Sequence, residues 1–127
     1  MKLSDEQWRE KLTDEEYRVC RKAGTELPYS GQLLNVFEPG VYECKCCGSQ
    51  LFSSLHKFDA GCGWPSFFDE AVPGNIDYRE DLSHGMERVE IVCHNCDAHL
   101  GHVFEDGPRP TGKRYCVNSV SISFTPE

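Results

Sequence analysis

No run of apolar residues in this 127-residue chain is long enough to cross a bilayer, which argues against a membrane protein. Positive charge is scarce: 13 Lys and Arg stand against 21 Asp and Glu, for a net charge of −8. Such a surface repels phosphate backbones, so no nucleic-acid partner is expected. The first residues, Met1-Lys2-Leu3-Ser4-Asp5-Glu6, turn acidic at once and lack the apolar stretch of a secretory signal, so a reducing cytoplasmic setting is expected. Low-complexity segments, inter-domain linkers and repeats beyond two Cys pairs are also missing, and the length suits one domain over residues 1–127.

What is present in excess is cysteine, eight residues in all. Without a secretory signal, that points to metal or redox chemistry ahead of structural disulfides. Local signals place these cysteines on a scaffold. Ser4-Asp5-Glu6-Gln7 and Thr13-Asp14-Glu15-Glu16 both have capping-box form, with Leu3/Trp8 and Leu12/Tyr17 at hydrophobic-staple positions. Two short helices are predicted within residues 1–23, packing on the body, with Gly24 suited to a helix C-terminus. Gly24, Pro28, Gly31, Pro39 and Gly40 make the next stretch a connecting arm. β-prone runs at Val41 to Cys44, Ile76 to Tyr78, Val89 to Val92 and Tyr115 to Phe124 predict an antiparallel sheet. Period-two alternation in the last run puts Arg114, Cys116, Asn118, Val120, Ile122 and Phe124 on one face, opposite Ser119, Ser121 and Ser123.

Cys44-Lys45-Cys46-Cys47 and Cys93-His94-Asn95-Cys96 are two C-x-x-C turns, and together they predict one four-cysteine zinc site of Cys44, Cys47, Cys93 and Cys96. Residues 48–92 separate the turns, far more than in a short zinc ribbon, so zinc clamps distant parts of the sheet. Its apparent binding free energy, about 10–16 kcal/mol, rivals the stability of a whole domain. A thioredoxin-like redox pair would open a helix in a βαβ context, which neither turn has. Four thiolates leave no open position for water, so the expected zinc is structural and any catalysis lies elsewhere. The same closed shell argues against a zinc hydrolase or deaminase.

Of the remaining cysteines, Cys20 reads as a small core residue of the second helix and Cys46 as packing within the first turn. Cys116 is flanked on its own face by Arg114 and Asn118. His99 and His102, just after the second turn, are candidate acids. Arg114 or a protonated histidine is expected to lower the Cys116 pKa toward neutrality and so activate a nucleophile; a plain structural strand cysteine is the alternative. Cys62, between two glycines in Ala60-Gly61-Cys62-Gly63-Trp64-Pro65-Ser66-Phe67, is approachable as a resolving thiol must be. Trp64 is either core or the aromatic wall of a small pocket.

Gly61-Cys62-Gly63-Trp64-Pro65-Ser66-Phe67, Cys93-x-x-Cys96-x-x-His99-Leu100-Gly101-His102-Val103-Phe104 and Arg114-Tyr115-Cys116-Val117-Asn118-Ser119 resemble the methionine-R-sulfoxide reductases, the B-type enzymes. The resemblance runs from the Gly24-Thr25-Glu26-Leu27-Pro28-Tyr29-Ser30-Gly31 segment to Phe124. It implies a small, mainly antiparallel β-structure of two sheets with N-terminal helices and a structural zinc held by Cys44, Cys47, Cys93 and Cys96, remote from the reaction. It further implies Cys116 as nucleophile, Cys62 as resolving cysteine, and His99, His102, Asn118 and Trp64 at the substrate, with Phe67, Asp106 and Arg114 assigned to substrate binding. The implied chemistry is attack of Cys116 on the sulfoxide sulfur, proton donation by His99 or His102, a sulfenic acid on Cys116, and a Cys62–Cys116 disulfide reduced by thioredoxin or a similar dithiol. A non-catalytic zinc module is the rival reading, and it leaves Cys62, Trp64 and Cys116 unused.

Overall fold

The computed structural model describes residues 3–127. Both predicted helices form, α1 over Asp5–Lys11 and α2 over Asp14–Lys22. Each starts at a reciprocal box: Ser4 Oγ accepts from the Gln7 amide at 3.2 Å while Gln7 Oε1 accepts from the Ser4 amide at 2.8 Å. Thr13 and Glu16 repeat this at 3.2 and 3.0 Å. The left-handed residue that ends α2 is Ala23 (φ 54°), one position before the expected Gly24. Gly24 is needed for proximity: a Cβ there would lie 2.9 Å from the Arg18 carbonyl.

The rest is strand and turn. β1 (Gly40–Cys44), β2 (Gln50–Ser53) and β9 (Ile122–Pro126) form a three-stranded sheet in the order β2-β1-β9. A six-stranded sheet runs β3-β4-β8-β7-β6-β5, with β3 Lys57–Phe58, β4 Ser66–Phe67, β5 Ile76–Asp81, β6 Arg88–Cys93, β7 His99–Phe104 and β8 Arg114–Val117. Every pairing is antiparallel, so the fold is the mainly β, two-sheet class expected.

The run expected to continue from Tyr115 to Phe124 is in fact two strands in different sheets. A 3₁₀ turn, Ser119–Ser121, divides them, with the Ser121 amide donating to the Asn118 carbonyl at 3.0 Å. Ser121 Oγ is drawn off to the His99 carbonyl at 2.9 Å. Strand alternation is lost across that turn, so Ile122 and Phe124 join the other sheet and do not share a face with Cys116. The serine-rich segment supplied the side-chain hydrogen bonds that favour such a break.

Between the sheets lie Tyr42, Leu51, Phe52, Phe67, Tyr115 and Ile122, all 1% exposed or less. Phe67 stacks on Phe52 (centroids 4.4 Å apart) and meets Tyr42 edge-on at 5.0 Å. Trp8 and Leu12 of the helical segment and Cys20 of α2 are buried in the same cluster, which attaches the helices to the β body. No helix among the described residues is long and apolar enough to cross a membrane.

Candidate active site and thiol cluster

Strand register assembles a polar row on one face of the larger sheet. Arg79 pairs with Glu90, Glu90 with His102, His102 with Cys116, and Cys116 with Ser66. Directly paired residues point to the same face, so this order alone brings a histidine, a cysteine and a serine side by side. Arg114 lies two residues along β8 and so on the same face. The approach of β7 to β8 depends on Gly101, where a Cβ would fall 1.9 Å from the Cys116 carbonyl oxygen.

Above this row is a cavity of about 290 Å³ lined by Cys62, Trp64, His102, Phe104, Arg114 and Cys116, among others. Cys62 Sγ is 3.3 Å from Cys116 Sγ. Gly61 and Gly63 beside it have φ of 69° and 92°, left-handed values that only glycine adopts freely. The loop is also fastened: the Tyr29 amide donates to the Gly63 carbonyl at 2.7 Å, and the Gly61 amide to Asp59 Oδ1 at 3.0 Å. A disulfide requires about 2.05 Å, so modest side-chain rotation closes the pair.

Arg114 Nη1 lies 2.7 Å from Cys116 Sγ, and its Nε donates to Asp106 Oδ1 at 2.8 Å. Asp106 is exposed and holds the guanidinium from behind, at the rim of the site. The expectation that Arg114 draws the Cys116 pKa toward neutrality is not met in the paired dithiol. Burial first, then the nearby Cys62 sulfur, push the Cys116 thiol up to about 12, and Arg114 only partly opposes them. Cys62 is lowered, because hydrogen bonds from Ser66, the Trp64 backbone and Cys116 together outweigh its burial. The two sulfurs titrate as one pair, with Cys62 shifted down and Cys116 up.

His102 Nε2 is 2.7 Å from Asp81 Oδ2, yet burial outweighs that carboxylate and lowers the imidazole pKa. Behind it His99, 4% exposed, places Nδ1 2.6 Å from Glu90 Oε2, while its buried Nε2 has no hydrogen-bond partner among the described residues. The two rings meet edge-on with centroids 5.6 Å apart. Asn118 lines the cavity, but both ends of its amide are engaged: Oδ1 accepts from the Glu26 amide at 2.9 Å and Nδ2 donates to the Leu100 carbonyl at 3.1 Å. Trp64 is half-buried at the wall, its Nε1 donating to the Glu26 carbonyl at 3.0 Å. Phe67 does not reach the cavity; on two-residue β4 it alternates with Ser66, so it faces the core while Ser66 sits beside Cys116.

Glu26, Asp81, Glu90, Arg88 and Phe104 were not anticipated as site residues. Glu26, 1% exposed, ties the arm to both Trp64 and Asn118 through its backbone, and its Oε1 accepts from the Val120 amide at 3.1 Å. Its one sequence signal was its place in the Gly24 to Gly31 segment. The carboxylates that orient the histidines come from β5 and β6, and only strand register reveals them.

The second sulfur site lies at the turns of two hairpins, β1–β2 in the smaller sheet and β6–β7 in the larger. Cys44, Cys47, Cys93 and Cys96 place their sulfurs within 4.8 Å of one another. Two of the separations are 3.6 Å (Cys44–Cys96) and 3.5 Å (Cys47–Cys93). A tetrahedral thiolate site with bonds of about 2.3 Å has edges of about 3.8 Å, so the donor set fits a metal ion with little adjustment. Within the crowded group the Cys44 thiol is pushed far up by its neighbouring sulfurs while the Cys93 thiol is pulled down.

A family profile described as the SelR domain matches residues 12–126. Among curated proteins, the chain is 58% identical over 125 residues to a "Peptide methionine sulfoxide reductase MsrB" of Alteromonas mediterranea, covering 98% of this chain and 88% of that one. Proteins of the same name from Teredinibacter turnerae and Acinetobacter baumannii are each 59% identical, covering 97% and 95% of this chain and 91% and 87% of theirs. The chain thus belongs to the SelR-domain family, the B-type peptide methionine sulfoxide reductases.

Proposed function

We propose that the protein reduces methionine (R)-sulfoxide, free or in oxidised proteins, to methionine with Cys116 as nucleophile and Cys62 as resolving thiol. Family membership makes it a methionine sulfoxide reductase, an oxidoreductase. The observation that carries the mechanism is the Cys62–Cys116 separation of 3.3 Å at a cavity wall, with Arg114 Nη1 2.7 Å from the second sulfur.

Cys62 is lowered and Cys116 raised, so of the two sulfurs Cys62 gives up its proton first. Transfer of the Cys116 proton to Cys62 leaves the nucleophilic thiolate against Arg114. That thiolate attacks the sulfoxide sulfur, and the His99–His102 pair protonates the oxygen. The protonated oxygen then passes from the substrate sulfur to the Cys116 sulfur as the bond between the two sulfurs breaks, so that methionine departs and Cys116 is left as a sulfenic acid. Cys62 then displaces the oxygen as water to form a disulfide, so two thiols are oxidised for each sulfoxide reduced. A thioredoxin-like dithiol restores both thiols. Trp64 and Phe104 supply apolar surface for the substrate methyl, Asp106 holds Arg114, and Asn118 anchors the arm that carries Trp64's partner Glu26. A chiral sulfur whose methyl and oxygen have separate fixed sites is accepted as one epimer, and the family likeness assigns R.

Cys44, Cys47, Cys93 and Cys96 hold one zinc ion, which joins the two sheets and takes no part in the reaction. The chain acts as one domain in the cytoplasm. An assay on separated epimers tests the reading: turnover of R and none of S is expected, and activity on S alone overturns it.

A further inference from the structure

Glu26 is the most buried carboxylate among the described residues, 1% exposed, and no step of the reaction uses it. It bonds to three separate places. Its Oε1 accepts from the Val120 amide at 3.1 Å in the turn after β8, and its own amide donates to Asn118 Oδ1 at 2.9 Å. Its carbonyl accepts from Trp64 Nε1 at 3.0 Å. The first two bonds grip the chain on either side of Ser119, whose Oγ accepts from the Leu33 amide at 3.3 Å farther along the arm. The fit is close: a Cβ on Gly31 would collide with both Glu26 Oε2 and Ser119 Oγ. Glu26 Oε2 has no hydrogen-bond partner among the described residues. Burying such a group costs stability that an apolar side chain of similar size would not. Core filling therefore does not account for a carboxyl here.

We propose that Glu26 is a positioning residue for substrate binding: its carboxyl pins residue 26 against the turn after β8, and the pinned backbone sets the Trp64 indole at the cavity wall. The loop that carries Trp64 cannot do this alone, because glycine at 61 and 63 leaves its backbone free to move. It hangs instead on the arm. The Tyr29 amide donates to the Gly63 carbonyl at 2.7 Å, Tyr29 Oη donates to the Gly61 carbonyl at 3.0 Å, and Trp64 donates to Glu26. Glu26 in turn joins that stretch of arm to the β body through Val120 and Asn118. A wall residue touches the substrate methyl equally before and during reaction, so a displaced indole weakens binding and leaves the chemical step nearly as fast.

The inference rests on Trp64 walling the sulfoxide cavity, and Trp64→Ala tests that part separately. Steady-state kinetics with methionine (R)-sulfoxide are measured for the full chain and its variants, together with tryptophan emission, the Trp64 share being the difference from Trp64→Ala. Glu26→Leu keeps the volume and removes the acceptor; it is expected to raise KM about tenfold with kcat within about twofold, and to shift Trp64 emission to the red. Glu26→Gln keeps the acceptor for Val120 and is expected to restore both KM and emission toward wild type. Added to Trp64→Ala, Glu26→Leu should raise KM no further, since the two act through one contact. If Glu26→Leu does not fold, Glu26→Asp, one carbon too short to reach Val120, carries the same comparison. A raised KM in Trp64→Ala with an unchanged KM in the folded Glu26 variant overturns the positioning role alone. So does a Glu26→Gln variant as impaired as Glu26→Leu. An unchanged KM in Trp64→Ala overturns both the wall and the role built on it.

Discussion

The two sulfur sites use the same element at nearly the same spacing, 3.3 Å between Cys62 and Cys116 and 3.5–3.6 Å within the four-cysteine cluster. What differs is number, access and countercharge. The cluster sits at two hairpin turns with three of its four cysteines buried, and its four donors are the number a tetrahedral ion takes. The pair opens on a cavity, has one guanidinium beside it, and is too few to enclose a metal. Sulfur spacing therefore does not decide function here. On the proposed reading, a closed set of four stabilises the fold and an open set of two is free to be oxidised.

The comparison breaks most sharply at Cys116. Cys116→Ser is expected to lower sulfoxide reduction by more than about 10³-fold, as loss of a nucleophile does, while the thermal midpoint changes little. Metal removal should do the reverse. Chelation is expected to forfeit much of a binding free energy of about 10–16 kcal/mol and to unfold the chain, read by circular dichroism. A chelated, metal-free chain that stays folded and active would put the clamp in doubt.

Part of this contrast is legible in the amino-acid sequence. Spacing alone marks Cys44, Cys47, Cys93 and Cys96, because two C-x-x-C turns need no tertiary information. Subtraction then isolates Cys62 and Cys116. The capping boxes give both helix starts, since that signal is confined to four residues. Other features depend on long-range packing and are not legible. Phe67 reads with its motif neighbours, but its direction is set by the pairing of β4 with β8. The break at Ser119–Ser121 depends on a carbonyl from β7 that no local pattern contains. Adjacent Arg114 suggests a lowered Cys116 pKa, whereas burial and Cys62, 54 residues away in sequence, dominate it.

A subtler test concerns the proton shared by the pair. In Cys62→Ser the repulsion and hydrogen bond from Cys62 vanish, so the Cys116 pKa should fall from about 12, with burial still opposing Arg114 and Ser66. Cys116 is a thiol below its pKa and a reactive thiolate above it, so its alkylation should begin at lower pH in the variant. The same variant should reduce one equivalent of sulfoxide and then stop cycling with a dithiol reductant. The smallest effect on chemistry is expected at Phe67. Phe67→Leu should cost about 1–2 kcal/mol of stability through imperfect filling of the stack with Phe52 and Tyr42, with KM for the sulfoxide unchanged. A raised KM with intact stability would return Phe67 to the substrate site.

The claim that one sulfur site is redox-active and the other is not can be tested by counting thiols. Zinc-loaded, fully reduced protein is given excess methionine (R)-sulfoxide without external reductant, quenched, alkylated and mapped by mass spectrometry. The account predicts the loss of two thiols per chain, recovered as a Cys62–Cys116 disulfide, with the other six cysteines still reduced. Loss of no thiols, or a disulfide drawn from Cys44, Cys47, Cys93 or Cys96, would contradict it.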